Sequence, residues 1–158
     1  MVWLVVIVIA LVVIGSVMWL KPSARDQRLA VLRLDAIKRG LQVSQFTFKP
    51  DSAKNGVRDP VMATSYTLLN PAARGKGELV YRVAGQSGWD TEGLPEGCSW
   101  HDKGSAADAA KITAALAMLT DDVLLLEVFT NRVTLMAAEH KTATAENYEA
   151  VLKALLPA

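Results

Sequence analysis

The sequence holds one cysteine, Cys98, and two histidines, His101 and His140, in 158 residues. A single cysteine permits no intramolecular disulfide, which suits a reducing compartment. Cys98 and His101 have C-x-x-H spacing, but a zinc site draws three or four such ligands, usually from a second pair, and none follows. EF-hand spacing, a P-loop and a nucleophile elbow are also missing. Arg74-Gly75-Lys76-Gly77 lies between two expected strands, where its glycines serve a tight turn rather than a phosphate. Aromatic residues are scarce and are not interleaved with basic clusters, so a nucleic-acid surface is not expected. No motif calls for a cofactor or a metal. Internal repeats and low-complexity tracts are absent.

Charge is missing altogether from residues 1–20. The run VWLVVIVIALVVIGSVMWL, residues 2–20, contains one polar side chain, Ser16. As a helix it spans roughly 28 Å, close to the ~30 Å hydrocarbon core of a bilayer. Trp3 and Trp19 sit near its ends, where indoles favour the interface, and Lys21-Pro22 stops it. A cleaved signal peptide would need a basic n-region, a shorter apolar stretch and a small-x-small cleavage site, none of which is present. The expectation is therefore an uncleaved anchor, with the bilayer as partner of residues 2–20. Gly15, beside Ser16, is the one spot suited to close packing by another helix. Without a fuller small-xxx-small pattern, ordinary tolerance of glycine in a span is the simpler reading.

Positive charge is concentrated just after this run. From Lys21 to Arg39, six basic residues against two acidic ones give +4. The chain total is +1, so the remainder carries −3. The positive-inside rule then places residues 21–158 in the cytoplasm and the N-terminus outside, in a bacterial inner membrane. Ser23-Ala24-Arg25-Asp26 has the form of a capping box and Gly40 suits a helix end, so residues 21–40 form a juxtamembrane helix. Ala30, Leu34, Ile37 and Leu41 make an apolar stripe expected to face the domain. Arg25, Arg28 and Arg39 fall on roughly the opposite side; with Lys21 their simpler role is to set topology and solubility, the alternative being to meet anionic headgroups.

Residues 41–158 read as one small α+β domain, large enough to fold without disulfide or metal. Strands are expected at residues 41–48, 61–69, 78–84, 123–130 and 132–139, with the second and third joined as an antiparallel hairpin. Asn55-Gly56 marks a turn in the polar loop 49–60. Ser105-Ala106-Ala107-Asp108 caps an Ala-rich helix running to about Leu119, with Ile112, Ala115, Leu116 and Leu119 on one face. Thr144 caps a last helix with Tyr148, Val151, Leu152 and Leu155 on its apolar face. The natural packing is an antiparallel sheet with two or three helices on one side.

The irregular stretch from Gly85 to Gly104 is the most chemically varied. Trp89, Asp90, Cys98, Trp100 and His101 form a candidate ligand loop. Cys98 with His101 or His140 could in principle be nucleophile and base, but no orienting group or oxyanion hole is identifiable. The simpler expectation is that Trp89 and Trp100 pack over an open edge of the core while the charges face water.

The junction WLKPSARDQRLAVLR (Trp19–Arg33), followed by GLQV (Gly40–Val43), resembles a group of short uncharacterised proteobacterial single-pass inner-membrane proteins, and more loosely the preprotein-translocase accessory subunit YajC. Lys21-Pro22 stands where the YajC family has Arg-Pro, and the soluble part departs from that family after Val43. The first resemblance implies membrane topology and no activity. The second implies a place beside the translocon. The expected function is a non-catalytic, membrane-tethered interaction or accessory domain with a protein partner at the inner membrane. The alternatives are a YajC-like translocase accessory subunit and a small ligand-binding domain or enzyme using Trp89–Asp102.

Overall fold

The computed structural model describes residues 1–158 and places them in two compact units, Met1–Val31 and Leu32–Ala158, divided within the second helix. In the first unit, α1 (Val2–Trp19) is a continuous helix with no buried residue. It is long and apolar enough to cross a membrane. Its one polar side chain is satisfied internally, because Ser16 Oγ donates to the Val12 carbonyl at 2.7 Å. α2 (Ala24–Lys38) starts at the expected capping box: Ser23 Oγ accepts from the Asp26 N–H at 3.1 Å, and the Asp26 carboxylate accepts from the Ser23 N–H. Gly40 ends the helix with φ +86°, and Leu41 N–H donates to Ala36 O.

The second unit is built on a six-stranded antiparallel sheet: β1 (Gln42–Phe48), β2 (Val61–Leu69), β3 (Leu79–Ala84), β4 (Ser99–Asp102), β5 (Val123–Phe129) and β6 (Arg132–Ala137). The order across the sheet is β1-β2-β6-β5-β3-β4. Side chains alternate in a strand, so the register sorts them into two faces. Val43, Tyr66, Leu135, Leu126, Val83 and Trp100 stand opposite one another in a row across all six strands. Five of the six are buried, Val43 at the edge being half-buried. This is the helix-covered face: the Tyr66 and Tyr148 rings lie 4.7 Å apart, and α5 (Ala145–Leu155) packs on β2 and β6. α4 (Ala106–Leu116) packs against α5. Both helices carry their expected caps, Ser105 with Asp108 as a reciprocal box and Thr144 accepting from Asn147 N–H.

One residue along, the opposite face carries a polar row: Gln42, Thr67, Thr134, Glu127, Arg82 and Asp102. A small apolar cluster of Phe48, Leu125 and Met136, with Val61, Ala63 and Leu124 against it, lies beside that row. The short helix α3 (Ser52–Asn55) interrupts the polar connection between β1 and β2, and its end is set by Gly56 at φ +74°.

Three sequence expectations are corrected. β2 and β3 do not form a hairpin; the β5–β6 hairpin lies between them, so the 70–78 connection crosses it. The segment taken as irregular contains β4. In α2 the expected stripe points outward: Ala30, Leu34 and Ile37 are exposed, whereas Leu29, Leu32 and Ala36 are buried; only Leu41, just past the helix, is buried as expected. The helix carries two apolar stripes, and its arginines select between them. Arg33 makes a two-pronged contact with Glu139, at 3.1 and 2.8 Å, and the Tyr66 hydroxyl donates to the same carboxylate. Arg39 bridges Asp35 and Glu149 at 3.2 and 2.9 Å.

Candidate functional site

The chemically mixed loop returns from β3 to β4 and shapes a cleft. Trp100 supports it from below. It is 3% exposed, its indole N–H donates to the Glu92 carbonyl at 3.0 Å, and its ring meets Tyr81 edge-on. Trp89 does not pack over the core as expected; it is 72% exposed. Its backbone N–H donates to Asn55 O, and its indole lies over Gly56, where any Cβ would come 2.5 Å from Nε1. The loop is thereby joined to α3. The resulting cleft, about 390 Å³, is lined by Lys54, Asn55, Trp89, Asp90, Trp100, His101, Asp102 and Lys103.

The structure therefore brings together four of the five expected loop residues: Trp89, Asp90, Trp100 and His101. Cys98 is buried outside the cleft, and burial pushes its thiol pKa up, which opposes thiolate chemistry. His140 sits elsewhere, with Nε2 3.7 Å from Asp122. No group of three or more His, Cys, Asp or Glu is arranged to hold a metal ion.

The polar row reaches the cleft at Asp102, and the spacing of residues in sequence gave no sign of this. Arg82 donates to Glu127 through Nε at 2.7 Å and to Asp102 through Nη1 at 3.0 Å. Lys54 Nζ reaches Asp102 at 3.2 Å. His101 Nδ1 lies 2.7 Å from the same carboxylate, and its Nε2 accepts from the Asp51 N–H at 3.3 Å. An accepting Nε2 places the imidazole proton on Nδ1, donated to Asp102. Both ring nitrogens are thus occupied, Nε2 tying the start of α3 to β4 and Nδ1 bonding within β4. Lys103 bridges Asp90 at 3.1 Å and Glu92 at 2.8 Å, and it holds Asp90 below the usual carboxylate range. The ionic groups of the cleft are paired with one another. What it offers a ligand is an open indole face between balanced charges. Asn55 is buried in its wall, with Oδ1 accepting from Val57 N–H and Nδ2 without a partner.

Burial pushes the Asp102 pKa up, but hydrogen bonds from His101 and Lys54 and the positive charge of Arg82 outweigh it and hold it below its ordinary value. A depressed folded-state pKa stabilises the fold above the unfolded value, about 3.9, and that contribution is lost as pH falls through the depressed one. Urea midpoints of the full chain in detergent are expected to fall below about pH 4. Asp102→Asn should lower the midpoint at neutral pH and flatten this acid limb. An unchanged limb would exclude Asp102 as a source.

The residues assigned to the membrane interface are disposed differently. Trp3, Trp19, Lys21 and Arg25 are exposed, Gly15 has open space around it, and Arg28 is half-buried. Arg39, also exposed, bridges Asp35 and Glu149. No protein-family model, no curated protein and no solved structure matches this chain.

Proposed function

We propose that this chain is a non-catalytic interaction module tethered to the bacterial inner membrane, with α1 in the bilayer, residues 21–158 on the cytoplasmic side, and the Trp89 cleft as the surface that holds a protein partner. The observation that carries the reading is the pairing of an 18-residue apolar helix with no buried residue and a domain whose one large exposed indole stands over a cleft of mutually neutralised charges. Large aromatic side chains dominate binding energy at protein interfaces, and paired charges at a rim add orientation more than affinity. Lys21 and Arg25 remain available to anionic headgroups.

The full chain should stay with membranes through alkaline carbonate extraction. In a Cys98→Ser background, Arg58→Cys should react with an impermeant thiol reagent in inverted vesicles and stay unlabelled in intact cells. Labelling in intact cells would reverse the orientation. Mild-detergent purification should recover a reproducible inner-membrane protein, and Trp89→Ala should weaken its capture at least roughly 30-fold, the loss of a ~2 kcal/mol hot spot. Full capture by Trp89→Ala would remove the cleft from the reading.

A further inference from the structure

The sheet has two edges, β1 and β4, and they are protected unequally. β4 is four residues long, ends on His101 and Asp102, and joins β3 through a register shift at Arg82/Val83. Shortness, charge and irregularity are the features by which edges avoid pairing with other strands. β1 has none of them. It is seven residues long, contains no charge and no proline, and pairs with β2 without a register shift. Gln42, Ser44, Gln45, Phe46 and Thr47 are exposed. Only alternate residues of an edge strand direct their N–H and C=O groups to its neighbour; the others point outward.

We propose that β1 pairs antiparallel with β1 of a second copy of this chain, about a two-fold axis at Gln45. Only a register centred there pairs all seven residues, with Gln42 opposite Phe48, Val43 opposite Thr47 and Ser44 opposite Phe46. No like charges meet in it, and the β-branched Val43 and Thr47 face each other. A second copy suits this edge because the contact is isologous: one pairing consumes both unprotected edges and leaves only the two β4 edges outside. Assembly therefore closes at a dimer with a twelve-stranded sheet. A single added ladder buries less than a standard interface, so the pairing depends on concentration, and two copies held in one bilayer supply it. To that extent the inference rests on the membrane tether proposed above.

In the Cys98→Ser background, Gln45→Cys oxidised in native membranes is expected to give a disulfide-linked dimer, and Lys103→Cys beside β4 is not. Two differently tagged copies of the full chain should copurify. Gln45→Lys in both copies, or Gln45→Glu in both, should reduce that recovery at least tenfold, since like charges then meet on the axis. Gln45→Lys paired with Gln45→Glu should restore it, and rescue also shows that each variant folds. A Gln45→Cys chain that stays monomeric, or that crosslinks to a different protein, overturns the inference. Release of the chain by carbonate would refute the tether instead, and copurification of tagged copies would still decide the pairing.

Discussion

Arg82→Met is expected to destabilise the domain by about 3–5 kcal/mol, because it strands a buried carboxylate. Glu127 is 6% exposed and receives a 2.7 Å hydrogen bond from Arg82 Nε, with no other cation bridged to it. Removing the guanidinium leaves a charge with neither water nor a counter-ion, and a carboxylate in that position is far costlier than a lost surface pair. The same change withdraws Arg82 from Asp102 and from the face of Phe48, 5.3 Å from its guanidinium carbon. For a domain of this size the melting temperature should fall by roughly 10–20 °C. Near-UV circular dichroism of the full chain in detergent is the measurement. Arg82→Met with Glu127→Leu should recover most of the loss, since an apolar pair of similar volume carries no desolvation penalty. A single variant as stable as the parent would show that Glu127 finds another partner.

Gly85→Ala is expected to cost about 3 kcal/mol or more and to loosen the β3–β5 pairing. A Cβ at this position would overlap the Val123 carbonyl oxygen, stand 2.8 Å from its carbon and 3.1 Å from Leu124 Cα. All three are backbone atoms, so no rotamer change relieves the clash. The Gly85 N–H donates to the Leu124 carbonyl at 3.0 Å, and the chain then leaves the sheet for the loop that carries Trp89. Separating the strands there should raise amide exchange at Leu124 and Leu125 and displace the cleft loop. Gly75→Ala is the control: it lies in open space, though its φ of +96° imposes a local backbone penalty of its own. Gly85 has no positive φ, so a Gly85→Ala loss no larger than that of Gly75→Ala would overturn the close-approach account.

The proposed tether and the proposed dimer have a common consequence for the cleft. A partner held by Trp89 would be presented twice, once by each copy, on a sheet surface confined near the bilayer. Avidity of that kind raises capture without any new contact, provided both clefts can be occupied together. The charges that line the cleft would then act mainly in orientation, because each is already neutralised by a neighbour.

Much of this architecture is local and was legible in the sequence. The apolar run, the capping boxes at Ser23 and Ser105, the Thr144 cap, the αL glycines at Gly40 and Gly56, and the faces of α4 and α5 depend on residues a few positions apart. β2 matches its expected span because β-branched and apolar residues are bounded by Pro60 and Asn70-Pro71. Trp89, Asp90, Trp100 and His101 could be picked out as a chemically mixed loop for the same reason. The tertiary structure alone decided the rest. Strand order depends on contacts far apart in the chain, so nothing near residue 70 indicates that β2 will lie beside β6. β4 is too short to carry a period and is held by its ladder to β3. The face chosen by α2 was settled by Arg33 and Arg39 finding Glu139 and Glu149, more than 100 residues away. The polar row that reaches the cleft takes one residue from each strand, a pattern that exists only once six separate strands are in register.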